Sequence, residues 1–248
     1  MISLLQNPLN GGNPAVARDP IMQVEAVTGI SRDKFRIVPL GLELSAYADL
    51  LPTASGVART TRQPTIGYLA RLAEEKGLHV LVDAFIHLRE NTEIDARLQI
   101  AGWLGQQQEA YAEAQFAKLR DAGLADAFHY AGEVDRAGKM QFLREIDVLS
   151  VPTVYKEPKG LFVLEALAAG VPVVQPRHGA FPELLERTGG GKLVEANDAV
   201  ALAEGLAELL GQEETRRELG CAGQRAVHEQ FHARAMAEQT LAVMQRFL

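Results

Sequence analysis

The sequence predicts a doubly wound α/β fold, a parallel sheet with helices on both faces, and two observations carry that expectation. From Thr65 onward, short apolar runs alternate with longer segments of 3.6-residue period, which is the pattern of βα units on a parallel sheet. The 248 residues are 47% hydrophobic and 23% charged, values of an ordinary globular chain with ample material for a buried core.

The elements follow in chain order. Met1 to Pro20 is dense in turn formers (Asn7, Pro8, Asn10, Gly11, Gly12, Asn13, Pro14) and reads as irregular. Ile21 to Gly29 suits a short helix, and Phe35 to Leu40 suits a strand ended by Gly41. Leu44 to Gln63 has no period and contains Pro52, Ser55 and Gly56, so it reads as a linker. Strands are then expected at Thr65 to Leu69, Arg97 to Ala101, Ala127 to Ala131, Asp147 to Pro152 and Val171 to Gln175. Leu78, Leu81, Val82, Phe85 and Leu88 mark the inner face of one intervening helix, and Tyr111, Phe116 and Leu119 that of another. A third helix runs from about Arg136 to Arg144, and a fourth follows Gly160. Pro182 to Glu186, Ala199 to Leu210 and Glu213 to Gln230 continue as helices after the last strand. A final amphipathic segment, Ala233 to Leu248, offers Met236, Leu241, Met244 and Leu248 to one side.

Composition excludes several classes. A net charge of −7 argues against nucleic-acid binding, which favours a basic stripe, so an anionic ligand must be held by a local cluster of cations. Cys221 is the single cysteine and cannot close a disulfide within the chain. There is no apolar run of membrane-spanning length and no signal-peptide order at the start, so a cytoplasmic protein is expected.

In a doubly wound sheet, ligands bind beyond the carboxyl ends of the strands, and three loops there carry chemistry. After the first strand, Arg71 and Lys76 can lean over the sheet edge; a planar fork and a point charge together suit a diphosphate. The alternative is that both pair with Glu74 and Glu75 on a solvated turn. After the next two strands come Gly102 and the run Gly132-Glu133-Val134, where glycine either lets a ligand approach the backbone or makes a turn.

The third loop is the richest. Pro158 and Gly160 place Glu157 in the loop, while the amides of Gly160, Leu161 and Phe162 stand as unpaired donors at a helix N-terminus, a natural anion site. Glu165 follows roughly 7 Å along the axis at ~1.5 Å per residue. Within the apolar run Leu161 to Leu167, its charge needs a partner, either a Lys or Arg or a polar group of a ligand such as ribose hydroxyls. His178, beside Gly179 after a strand end, is a further candidate for contact with the ligand.

These residues taken together resemble the donor-binding half of retaining GT-B glycosyltransferases of family four. The resemblance rests on Arg71 with Lys76-Gly77, Gly102, Gly132-Glu133-Val134, Glu157 and Glu165 with seven residues between, and Ala169-Gly170-Val171-Pro172-Val173-Val174. Gly179-Ala180-Phe181-Pro182-Glu183 and Gly191-Lys192-Leu193-Val194 extend it, so that it covers about Thr65 to Leu210. It implies a Rossmann-like domain that binds a nucleotide-diphosphate sugar as substrate, with no cofactor and no metal. Catalytic roles are implied for Arg71 and Lys76 on the diphosphate and for Glu157 on the transferred sugar. Gly160, Leu161 and Phe162 would meet the phosphates, Glu165 the ribose, and the backbone near Glu133 and Val134 the base, with Gly132 and Gly102 as further binding candidates.

Two departures from the family stand out. Glu157-Pro158-Lys159-Gly160 replaces the usual Glu-Gly-Phe-Gly, which makes Lys159 a further contact candidate. Phe35 to Glu43 resembles the exit of the family's first domain, with Leu40 and Glu43 in place of the usual Asn and Asp. The expected organisation is therefore residues 1–63 as a remnant of the preceding domain plus linker, 64–230 as the nucleotide-sugar-binding domain, and 231–248 as a C-terminal helix. A separate acceptor-binding domain or self-association would then complete the enzyme. A non-catalytic nucleotide-sugar-binding module is the alternative, and a hydrolase using Glu157 and Glu165 as paired carboxylates ranks behind both, because it leaves the helix-terminal anion site without a role.

Overall fold

A computed structural model describes residues 28–31, 34–50 and 63–246. Met1 to Pro20, most of the helix expected over Ile21 to Gly29, the Pro52, Ser55 and Gly56 part of the linker, and Leu248 lie outside the described residues. The strands are β1 (Thr65–Leu69), β2 (Arg97–Ala101), β3 (Phe128–Tyr130), β4 (Val148–Leu149), β5 (Val173–Pro176) and β6 (Gly191–Val194). They form one sheet in the order β3-β2-β1-β4-β5-β6, with every pairing parallel. This is the doubly wound, Rossmann-like order, and the chain changes the side on which it adds strands between β1 and β4.

The connecting helices are α1 (Leu78–Asn91), α2 (Glu109–Asp121), α3 (Arg136–Glu145), α4 (Leu161–Ala168), α5 (Phe181–Thr188), α6 (Ala199–Gly211), α7 (Glu213–Gln230) and α8 (Ala233–Met244). Leu78, Leu81, Val82, Phe85 and Leu88 are all buried on α1, as their spacing predicts. That helix packs against α2 and α6, whereas α4 and α5 pack against α7. The two groups follow from right-handed crossovers whose direction reverses at the switch point. All five residues of β1 are buried, as expected of a central strand covered on both faces. On α2 only Leu119 of the expected trio is buried; Phe116 instead stacks on Phe128 at 5.6 Å and tilts against Tyr130 at 5.5 Å along the half-buried β3 edge.

Several expectations are corrected. Phe35 to Leu40 forms no strand and pairs with neither edge of the sheet; the isolated bridge of Leu42 with His232 lies just beyond it. The first part of the expected linker, Leu44–Leu50, is a 3-10 helix anchored by the buried Tyr47. Gly191–Val194 is a sixth strand, paired to β5 from Val173 and Gly191 to Pro176 and Val194. The last helix, α8, has no fully buried residue, and Leu241 and Met244, on the side its pattern offers, are 55% and 58% exposed. Its start is tied down, since Leu42 N donates to Phe231 O and Ala233 N to Leu42 O.

Candidate functional site

The carboxyl ends of β1 and β4 are joined directly across the switch point. A 3-10 turn, Glu74–Lys76, follows β1, and Gly77 closes it with φ 73° in the left-handed region. A Cβ there would lie 1.9 Å from Pro152 O, so only glycine lets this turn lie against the loop after β4. Val154 N donates to Glu75 O at 3.1 Å and completes the junction. Lys76 is thereby carried to Glu157, 81 positions away in sequence.

Glu157 sits in the loop, as expected, and is only 6% exposed. Its Oε2 accepts from Lys76 Nζ at 2.8 Å and from the Tyr155 hydroxyl, and its Oε1 accepts from the Lys159 amide at 3.1 Å and the Gly160 amide at 3.3 Å. Burial pushes this carboxyl up, but the hydrogen bonds from Lys76 and Tyr155, the Lys76 charge and the Lys159 amide outweigh it and hold the pKa below the ordinary value. Tyr155 is pushed the other way, by burial first and by the adjacent Glu157 second. Lys76 also donates to the Tyr155 hydroxyl at 2.6 Å and lies 5.8 Å from the centre of the Phe162 ring.

The Gly160 amide is therefore not a free donor. The carboxylate three residues earlier reaches the helix end and occupies it, as a capping anion does. Val163 N and Leu164 N both turn back to Gly160 O, and the first-turn amides of Leu161 and Phe162 have no intrahelical acceptor. The Leu161 side chain is exposed and that of Phe162 buried.

A cleft of about 210 Å³ is lined by Leu69, Ala70, Arg71, Gly102, Trp103, Glu133, Val134, Lys139 and Glu165, while Lys76, Glu157, Gly160, Leu161 and Phe162 are not part of its lining. Five residues expected at the site, Arg71, Gly102, Glu133, Val134 and Glu165, thus share one depression. Arg71 pairs with Glu75 at 2.9 Å on the surface, which was the alternative reading of that loop. Glu165 pairs with Lys139 at 2.7 Å, which supplies the basic partner its apolar helix requires. Gly102 is fixed by packing as much as by any ligand, since a Cβ there would stand 1.8 Å from Ala70 O. Gly132 stands behind the wall, its carbonyl accepting from Gly102 N at 2.9 Å. His178 places Nε2 2.8 Å from Thr153 O, and burial lowers its pKa.

Comparison with known proteins now bears on this geometry. The sequence profile of the family described as glycosyl transferases group 1 matches residues 55–226. The chain belongs to that family. It is 33% identical over 191 residues to a phosphatidyl-myo-inositol mannosyltransferase of Mycobacterium leprae, covering 77% of this chain and 48% of the relative. It is 28% identical over 225 residues to a D-inositol 3-phosphate glycosyltransferase of Xylanimonas cellulosilytica, covering 88% and 52%. The chain thus spans about half the length of the curated relatives it matches. In fold it is similar to Anabaena HepE, solved with UDP and glucose, at a TM-score of 0.76 and 17% identity, covering 90% of this chain and 60% of that one. It is also similar to the C-terminal domain of a group 1 family protein (LpcC) of Francisella tularensis, at a TM-score of 0.66 and 20% identity, covering 78% of this chain and the whole of that one. The sheet is therefore that of one half of a GT-B glycosyltransferase. Among the described residues no helix is long and apolar enough to cross a membrane.

Three residues that neighbour the candidate residues are not among those the sequence singled out. Lys139 is the partner of Glu165, Tyr155 bridges Lys76 and Glu157, and Trp103 lines the cleft at 47% exposure. The need of Glu165 for a cation was legible; the identity of that cation was not, because α3 carries several charged residues and only the tertiary fold selects Lys139.

Proposed function

We propose that this chain is the donor-binding half of a retaining glycosyltransferase, which takes a nucleotide-diphosphate sugar and supplies its glycosyl group to an acceptor held by another domain or chain. The observation that carries the reading is a set of three cations, each paired with a carboxylate: Arg71 and Lys139, which line the cleft, and Lys76, which follows Arg71 in the loop after β1. A diphosphate can draw Arg71 and Lys76 toward itself, since the fork and the ammonium both bind phosphate well and the exposed Arg71 pair is weak. In this reading the Leu161 and Phe162 amides add neutral donors along the α4 dipole, Glu157 becomes free to accept from sugar hydroxyls, and Glu165, still paired with Lys139 through Oε1, offers its second oxygen to the ribose.

Transfer breaks the bond between the anomeric carbon and the phosphate oxygen, and its electron pair leaves with the diphosphate. Arg71 and Lys76 would neutralise that developing charge, a task that often dominates catalysis. The half-length match supports a division of labour in which acceptor recognition lies elsewhere. Relatives in fold solved with UDP and UDP-glucose support a nucleotide sugar as the ligand class.

The test is a melting and calorimetric panel of UDP-, GDP- and ADP-sugars. At least one raises the melting temperature, and Arg71→Ala abolishes the rise; no response to any of the panel refutes the reading. Donor turnover that disappears in Glu157→Ala distinguishes an enzyme from a binding module.

A further inference from the structure

Lys139 is the one cation of the cleft without an assigned task. It projects from α3, whose first turn is fixed by Asp135 accepting from the Gly138 amide at 2.8 Å, and it meets Glu165 across the gap to α4. Both side chains are largely sheltered, at 29% and 20% exposure. Both also line a second depression of about 210 Å³, beside the cleft, together with Leu42, Glu43, Tyr47, Arg136 and Met140. The pair thus stands in the wall between the two depressions.

We propose that Lys139 is a positioning residue that holds Glu165 for the vicinal hydroxyls of the ligand's ribose, and so sets discrimination between ribo- and dideoxyribonucleotides. This rests on the reading of Glu165 as the ribose acceptor. Apart from Glu165 every residue of α4 is apolar, and all of them but the exposed Leu161 are buried, so the helix itself offers the carboxylate no polar anchor. A glutamate side chain loses substantial rotamer freedom when fixed, and the ion pair fixes it before ligand arrives. A lysine is suited to this, because its ammonium engages Oε1 as a point charge and leaves the second oxygen for a hydroxyl, where an arginine fork would engage both. The same charge offsets that of the carboxylate, which would otherwise repel an anionic nucleotide.

The experiment measures binding of UDP, GDP and ADP and of their 2′,3′-dideoxy counterparts to the wild type, Lys139→Met, Glu165→Gln and the double variant. A hydrogen bond to a charged acceptor predicts that the wild type prefers the ribo form of its best nucleotide by roughly 10-fold or more. In Lys139→Met that preference falls to nearly the level of Glu165→Gln, and the double variant falls no further, since Lys139 acts through Glu165. Lys139→Gln repeats the comparison if the Met variant does not fold. A full ribo preference retained in the Lys139 variants overturns the inference while leaving Glu165 as the ribose acceptor. A wild type with no ribo preference overturns the ribose assignment and this inference with it.

Discussion

Removing Lys76 should destabilise the protein markedly even with no ligand present. Lys76→Ala leaves Glu157, whose side chain is 7% exposed, without its cation. Breaking a buried pair from one side costs about 3–5 kcal/mol, and the Tyr155, Lys159 and Gly160 donors that remain place this site at about 3 kcal/mol. For a domain of this size that is roughly 6–12 °C in melting temperature. Denaturant unfolding of the wild type, Lys76→Ala, Glu157→Gln and the double variant measures the coupling directly. Because Glu157 titrates below the ordinary glutamate value of 4.5 when folded, its contribution is present above the unfolded pKa and is lost as pH falls through the folded one. The wild type should therefore lose this part of its stability below about pH 4.5, whereas Glu157→Gln should not. A coupling below about 0.5 kcal/mol, the level of an exposed pair, refutes the assignment of this ion pair as a buried structural element.

Two further outcomes are expected. Gly77→Ala places a Cβ 1.9 Å from Pro152 O at a φ of 73° and should cost about 2 kcal/mol or more by denaturant unfolding; a neutral result refutes the tight junction between the two loops. Trp103 is the single tryptophan and lines the cleft, so nucleotide-sugar binding should change the intrinsic emission, and Arg71→Ala should remove that change at the same ligand concentration.

The parts of the fold legible in the sequence were those dictated by local periodicity. The α1 face and the runs of β1 and β2 are legible because their apolar residues are buried at the period the sequence shows. Phe35 to Leu40 has strand composition but no partner edge, and a propensity without a partner does not make a ladder. Gly191–Val194 carries little strand signal, because it is half-buried throughout, an edge strand with a glycine start and a lysine inside it. At the site, the residue types and their order along the chain were visible, and the pairings were not. Lys76 with Glu157 and Lys139 with Glu165 are contacts between loops and helices that only the sheet brings together. The unpaired amide expected at Gly160 failed for a local reason: a glutamate three residues earlier is itself an anion of the right reach.

The join between Gly77 and Pro152 has a consequence for the thermodynamics of ligand capture. Because this junction brings Lys76 and Glu157 together from two separate loops as the chain folds, the entropy of assembling the pair is lost before the proposed ligand arrives. Capture there becomes an exchange of one anion for another at a ready-made cation. Its heat should then be dominated by that exchange, with little of the heat-capacity change that ordering a loop would add.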